Sequence, residues 1–142
     1  MIRVAERVDI QAPAEVTWAA MTDWARQGTW MLGTTVRVTG GDGRGVGSTL
    51  AAFTGVIGIG FTDHMEITEW RPPARCAVRH TGWLVRGTGV FEVEDRGAAG
   101  STFVWREDLR VPRPLWALVS PVFRAGLRLS LRRFAAFAEA RA

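Results

Sequence analysis

Residues 8–23 constrain the fold of this chain more than any other part of the sequence. The first of these residues alternate between apolar and polar side chains, which predicts a strand. Pro13 and Glu15 then fit the first turn of a helix. Most of the remaining chain has strand character, and one long amphipathic helix closes it. A sheet that lies between an early and a late helix must enclose a space, and we expect the function to depend on that space.

Seven strands are predicted, six of them after this opening segment. They span residues 2–10, 34–39, 47–54, 61–70, 75–81, 84–94 and 102–111. The connections between the later strands are short and rich in glycine and proline, so consecutive strands are expected to be antiparallel neighbours. The predicted fold class is therefore α+β, with a meandering antiparallel sheet.

Two further helices are predicted. Asp23 can cap a short second helix that runs to Gln27 and stops at Gly28. Ser120 followed by Pro121 is typical of a helix start and predicts a closing helix that runs nearly to the end, with residues 115–119 in a separate turn. The closing helix has an apolar stripe opposite an arginine-rich one, which favours packing on its own sheet over the rarer alternative, an acidic membrane surface.

Length and hydropathy place the chain among globular proteins. Its 142 residues are expected to form one domain, 1–142, that buries about two-thirds of its unfolded surface. No apolar run reaches the roughly 18 residues of a membrane span. The first residues lack the apolar segment of a signal peptide. We therefore expect a cytoplasmic protein without stable membrane insertion.

Composition argues against several classes of partner. The pI is 11.1 and the net charge is +4, but all 18 basic residues are arginine and lysine is absent, which is typical of GC-rich bacterial genomes. The arginines are scattered outside the last helix, so no nucleic-acid partner is expected. Cys76 is the only cysteine, which excludes an intrachain disulfide and a cysteine-based zinc cluster and favours a small core residue. No metal and no cofactor are expected.

The order of the elements and several motifs resemble the START-like, or helix-grip, superfamily. This group includes polyketide cyclases and dehydratases of the SRPBCC type, lipid-transfer domains and the birch pollen allergen. The resemblance rests on residues 10–18 (Ile-Gln-Ala-Pro-Ala-Glu-Val-Thr-Trp), 43–49 and 67–73. It implies a curved antiparallel sheet of about seven strands around a long C-terminal helix, in the order β-α-α-β6-α, with an apolar cavity between them. It does not imply a reaction, because carriers and enzymes share this scaffold.

Strand alternation and helix periodicity assign residues to the inner face of this predicted sheet and helix. The residues expected to contact a ligand are Trp24, Trp30, Leu50, Met65, Ile67, Val78, His80, Phe91, Phe103, Trp105, Glu107, Leu109, Phe123, Gly126, Leu127, Ser130 and Leu131. Gly126 and Ser130, with the inward Gly87 and Gly89, favour an interior that side chains leave unfilled. Close packing of helix on sheet is the alternative explanation for these small residues.

Three inward ionisable residues are the catalytic candidates: Glu107, His80 and Asp63. A carboxyl on an apolar face has a raised pKa, which suits a general acid, and a histidine suits a base or a ligand contact. Each also has an ordinary structural explanation. Glu107 can pair with an arginine, His80 can be a hydrogen-bonded core residue, and Asp63 can belong to a turn. The sequence leaves open whether the three residues meet.

The favoured function is the binding of a small hydrophobic ligand, of the polyketide, lipid or isoprenoid class, by a monomer or homodimer. The alternative is an enzyme of the polyketide cyclase, aromatase or dehydratase kind, in which Glu107 and His80 transfer protons. A third possibility is an interaction module whose interior is filled.

Overall fold

The computed structural model describes residues 2–142; Met1, the first residue of the predicted domain, lies outside the described residues. The strands are β1 (Ile2–Ile10), β2 (Thr34–Gly40), β3 (Thr49–Val56), β4 (Ile59–Arg71), β5 (Arg75–Thr81), β6 (Arg86–Asp95) and β7 (Ser101–Arg110). The α-helices are α1 (Ala14–Met21) and α2 (Arg113–Glu139). Short 3₁₀-helices span Trp24–Thr29 and Gly97–Ala99. The predicted α+β class and the predicted order of elements are confirmed.

All seven strands form one curved antiparallel sheet in the order β1-β7-β6-β5-β4-β3-β2. The strands from β2 to β7 follow one another as a meander, and β1 completes the sheet by pairing with β7, where Ile10 lies opposite Ser101. The tight β3–β4 turn is made by Ile57 and Gly58, which both have positive φ angles (53° and 73°). This backbone matches the twist of a two-residue hairpin.

The predicted second helix is a 3₁₀-helix rather than a capped α-helix. Asp23 precedes it, but its side chain makes no capping hydrogen bond, and Gly28 lies within the helix rather than after it. The segment is fixed by its flanking tryptophans. Trp24 Nε1 donates to the carbonyl of Gly43 at 2.8 Å, and Trp30 is 1% exposed. Burial of two large rings therefore determines this segment more than its local capping signals do.

The prediction that the closing helix starts at Ser120 is wrong. Helix α2 begins at Arg113, with Pro114 in its first turn, and Pro121 lies inside it. A proline in the first turn loses no helical hydrogen bond, whereas Pro121 cannot bond to the carbonyl of Ala117. Ala117 is exposed, so water can satisfy that carbonyl. The predicted separate turn over residues 115–119 is therefore part of α2.

The core lies between the sheet and the second half of α2. Phe134 stacks at 4.7 Å, between ring centroids, on both Trp30 and Phe103. These three rings join α2, the first 3₁₀-helix and β7. Leu127, Leu131 and Ala138 extend the same buried stripe. Each fully buried large apolar side chain contributes about 2 kcal/mol, so this half of α2 is held firmly.

Cys76 is a core residue, as the sequence predicts, with no exposed surface. Burial, followed by the nearby Glu69 charge, raises the pKa of its thiol to about 12. Only the thiolate is strongly nucleophilic. We therefore expect Cys76 of the native protein to remain unmodified by a disulfide reagent at neutral pH and to react fully after unfolding, as measured by thiol titration. Rapid modification of the native protein would contradict this burial.

Candidate functional site

A cavity of about 640 Å³ lies between the inner face of the sheet and the first half of α2. Its walls are mostly apolar. On its helical side, the wall includes the side chain of Trp116 and the bare backbone at Gly126. A Cβ atom at Gly126 would have no other heavy atom within 4 Å, so this glycine faces open space. The alternative that helix and sheet pack closely here is therefore excluded at this position.

Most of the predicted ligand contacts are found in the wall of this cavity. They are Trp24, Trp30, Leu50, Met65, Phe91, Phe103, Trp105, Glu107, Leu109, Phe123, Gly126, Leu127 and Ser130. Ser130 also supports the wall, because its Oγ accepts a hydrogen bond from the backbone N–H of Leu32 at 3.1 Å. Contact between any of these residues and a ligand remains a prediction.

The cavity does not extend to Ile67, Val78 and Leu131, which were also predicted as ligand contacts. Each is at most 2% exposed and lies in the packed core rather than in the wall of the cavity. Alternation places the two strand residues on the correct face, but it says nothing about how deep along the strand the cavity reaches. His80 is likewise behind the cavity wall rather than part of it.

Sequence reasoning missed several parts of the wall, among them residues 31–34, Val85 and the beginning of α2. Trp116 and Val119 line the cavity together with the predicted Phe123. The three residues are spaced by three and four positions, which is the helical signal that could have found them. The signal was lost because this segment was predicted to be a turn.

Asp63 and Glu107 lie in the wall of the cavity and meet His80 directly behind it. The sequence left open whether these three residues are close together. His80 Nδ1 lies 2.9 Å from Asp63 Oδ1, within hydrogen-bond distance. On the other side of the ring, His80 Nε2 lies 3.5 Å from Glu107 Oε1. This second distance is long for a hydrogen bond, and Nε2 has no other partner in residues 2–142. Asp63 belongs to β4 and not to a turn.

Two glycines of β6 allow this meeting. His80 on β5 and Glu107 on β7 are separated by β6, in which Gly87 lies opposite His80 and Gly89 opposite Glu107. A Cβ atom at Gly89 would lie 3.4 Å from Glu107 Oε1, so a side chain there would compete for the same space. Gly87 has a φ of 121°, which other residues rarely adopt. From the sequence, these glycines were predicted to leave empty room in the interior. Their effect in the structure is instead to bring two ionisable groups together.

The charge state of the cluster follows from its burial and contacts. Burial acts to lower the pKa of His80, but the hydrogen bond to Asp63 and the close contact with the Glu107 carboxyl outweigh it and raise that pKa to about 10. The imidazole ring is therefore protonated at neutral pH. Burial raises the pKa of Glu107, the charge of Asp63 acts in the same direction, and His80 opposes both. Glu107 therefore retains a proton to higher pH than an exposed glutamate does.

The cluster presents its carboxyl groups, and not its imidazole, to the cavity. The side chains of Asp63 and Glu107 are 16% and 9% exposed, whereas that of His80 is 1% exposed. A molecule in the cavity can therefore touch both carboxyl groups directly. His80 contacts one carboxyl through each ring nitrogen and can carry a proton between them. Within residues 2–142, no group of three or more histidine, cysteine, aspartate or glutamate side chains is arranged to hold a metal ion.

A curved antiparallel sheet around a long C-terminal helix, with a cavity between them, is the architecture of a START-like, helix-grip protein. The chain belongs to the family described as polyketide cyclase / dehydrase and lipid transport, whose model matches residues 1–139. The resemblance stated from the sequence is therefore confirmed. None of the curated proteins matches the sequence significantly. None of the helices that the structure describes is long and apolar enough to span a bilayer.

Solved structures with low sequence identity share the fold. An aromatase/cyclase from Streptomyces sp. R1128 superimposes with a TM-score of 0.78 at 17% identity, covering 99% of this chain and 94% of that chain. A protein from Nitrosomonas europaea gives 0.77 at 12% identity, covering 98% and 95%. A norcoclaurine synthase from Thalictrum flavum, in complex with a transition-state analogue, gives 0.71 at 13% identity, covering 96% and 93%. At these identities the likeness shows the fold alone.

Proposed function

We propose that this protein binds a small, mostly apolar molecule in the cavity, with a polar group of that molecule against Asp63 and Glu107. The observation that carries the proposal is the cavity of about 640 Å³, whose mostly apolar wall contains two accessible carboxyl groups. Its volume lies within the range of small-molecule sites, about 300–1,000 Å³. A molecule of the polyketide, lipid or isoprenoid class fits this combination of size and polarity.

The polar group of the ligand is expected to donate hydrogen bonds. A carboxylate accepts hydrogen bonds, so a hydroxyl or amine group satisfies Asp63 and Glu107 better than a second carboxylate would. A ligand carboxylate would add a negative charge to a buried site that already holds two carboxyl groups and one imidazolium. The cluster therefore favours neutral or cationic ligands over anionic ones.

Native mass spectrometry of the purified protein tests this proposal directly. We expect a co-purified apolar molecule, or saturable one-to-one binding of the neutral fluorescent probe N-phenyl-1-naphthylamine. Charge and shape selectivity can then be measured by displacement of the probe with apolar alcohols, amines and carboxylates of equal size. If the probe does not bind, or if carboxylates displace it best, the proposed site is wrong.

A second candidate function is catalysis of proton transfer on a polyketide-like substrate, and the buried cluster favours it. Burying two carboxyl groups and an imidazolium is expensive, and a carrier could hold a polar group of its ligand with a neutral side chain. In an aldol cyclisation, the Glu107 carboxylate would take a proton from carbon next to a ketone. That carbon would bond to a second carbonyl, and the cluster would return a proton to the new alkoxide oxygen. Glu107 would hold that proton between the two steps, with the His80 imidazolium beside it.

Replacing Glu107 with glutamine separates the two functions. A carrier is expected to keep its affinity for N-phenyl-1-naphthylamine within about threefold, because the shape of the side chain is retained. An enzyme is expected to lose turnover of a poly-β-keto thioester by about a hundredfold or more, the usual contribution of a general acid or base. Fluorescence titration and a product assay measure the two quantities.

Asp108→Asn is the matched control for this variant. Asp108 is the next residue on β7, points to the opposite face and pairs with Arg3 at 3.0 Å. It is expected to change neither probe affinity nor turnover. An equal loss of turnover in both variants would indicate general damage to β7 and would remove the support for a proton-transfer role of Glu107.

A further inference from the structure

The mouth of the cavity is surrounded by exposed apolar side chains, which we call the mouth surface. The most exposed of them are Ile57 (94%), Ile59 (81%), Trp83 (86%), Leu118 (77%) and Val122 (78%). They come from three separate segments: the β3–β4 turn, the β5–β6 connection and the first half of α2. Large apolar side chains with this exposure, concentrated in one region, are a signature of an interaction surface.

Topology places the three segments at the same end of the sheet. Because neighbouring strands are antiparallel, strands β3, β5 and β7 run in the same direction and all finish at the same end of the sheet. Val85 and Val111, which adjoin these segments, line the cavity, so the cavity reaches this end of the sheet and we place its opening here. The mouth surface therefore surrounds the route by which a molecule enters.

The mouth surface also carries positive charge without compensating carboxylates. Arg86 lies directly opposite Arg110 in the β6–β7 ladder, and Arg113 follows at the start of α2. Among residues 2–142, none of these three arginines is within 4.0 Å of a carboxylate oxygen. Residues 82–91 and 109–126 contain no aspartate or glutamate. Like charges directly opposite each other repel, so an external anion at this place relieves an unfavourable contact.

We propose that the mouth surface docks on an anionic lipid bilayer. Exposed tryptophan and isoleucine side chains at loop tips insert into the interfacial region, and the arginines contact acidic headgroups. The apolar residues protrude from three separate segments. A fluid bilayer can accommodate this uneven surface, because it does not need a shape complementary to that of the protein. A symmetric second copy of the chain would instead bring Arg86, Arg110 and Arg113 towards their own equivalents. The proposal does not depend on which molecule occupies the cavity.

Co-sedimentation with vesicles tests the proposal on the full chain. We expect binding to phosphatidylcholine vesicles that contain about 30 mol % phosphatidylglycerol, and at least tenfold weaker binding to pure phosphatidylcholine. Raising the salt concentration from about 0.1 M to about 0.5 M is expected to weaken binding to the anionic vesicles. Trp83→Ala and the double variant Arg86→Gln/Arg110→Gln are each expected to lower the partition coefficient about tenfold.

Exposed residues at the opposite end of the sheet supply matched controls. Val46 is 69% exposed and Arg44 lies beside it in the β2–β3 connection. Val46→Ala and Arg44→Gln are expected to leave vesicle binding unchanged, and circular dichroism melts check that every variant is folded. Equal binding to both vesicle types would overturn the proposal, as would equal losses in the control and mouth variants. Absence of vesicle binding would also overturn the proposal. If the protein is then a dimer that Trp83→Ala dissociates, the mouth surface is a self-association interface instead.

Discussion

Replacing His80 with glutamine is expected to lower the free energy of unfolding by about 3 kcal/mol at neutral pH. The imidazolium lies between two carboxyl groups, 2.9 Å from Asp63 and 3.5 Å from Glu107, and the His80 side chain is 1% exposed. Removing one partner of a buried ionic cluster leaves the remaining charge uncompensated, which costs more than the original contact contributes. Urea unfolding of both proteins, followed by circular dichroism, measures this difference.

The same pair of proteins gives a pH dependence of known sign. The pKa of His80 is raised from 6.5 in the unfolded chain to about 10 in the folded protein. Folding therefore favours the protonated ring, and this stabilisation is present in full below about pH 6.5 and lost as the pH rises through about 10. The difference between wild type and His80→Gln should shrink over this range. Cys76, whose pKa is raised to about 12, is common to both proteins, and its effect at alkaline pH cancels.

His64→Gln is the control for this prediction. His64 is the other histidine of the chain, is exposed, and lies next to Asp63 on the opposite face of β4. Its replacement is expected to change stability by less than about 0.5 kcal/mol. A difference between wild type and His80→Gln that is small, or that does not change between pH 6.5 and 10, would show that His80 is not held as an imidazolium.

The fold could be predicted from the sequence because its signals are repeated along the chain. Alternation defines each strand, and short connections such as residues 71–74 leave only antiparallel neighbours. The boundaries of two helical segments could not be predicted, because tertiary burial outweighs local capping. Trp24 and Trp30 fix a 3₁₀-helix where Asp23 suggested an ordinary cap, and Pro121 is accommodated inside α2 although Ser120-Pro121 is typical of a start.

The site could be predicted only in part, because its assembly depends on register. Between β4 and β5 the pairing shifts by one residue between Ile67 and Glu69, which places His80 opposite Met65 and within reach of Asp63. Counting back from the turn without this bulge would place His80 opposite Glu66, on the wrong face. The contact with Glu107 also crosses a whole strand, which Gly87 and Gly89 allow. Single-strand patterns identified the three residues, but not their meeting.

Filling the cavity from α2 is the second large effect that we expect. Gly126→Phe places an aromatic ring in space where a Cβ atom now has no neighbour within 4 Å. The ring competes with a ligand for the same volume, so the affinity for N-phenyl-1-naphthylamine should fall roughly ten- to a hundredfold. The folded structure should be retained, because the ring enters a void and not a packed core. Fluorescence titration and a thermal melt measure the two properties.

Gly126→Ala separates loss of space from change of helix propensity. Both substitutions remove a glycine from the interior of α2, and alanine should raise the free energy of unfolding by up to about 1 kcal/mol. Alanine adds one methyl group to a cavity of about 640 Å³, so probe affinity should remain within about threefold of wild type. If phenylalanine and alanine weaken binding equally, the probe occupies another place. If Gly126→Phe binds as well as wild type, the space beneath α2 is not the ligand site, and the proposals for Asp63 and Glu107 lose their basis.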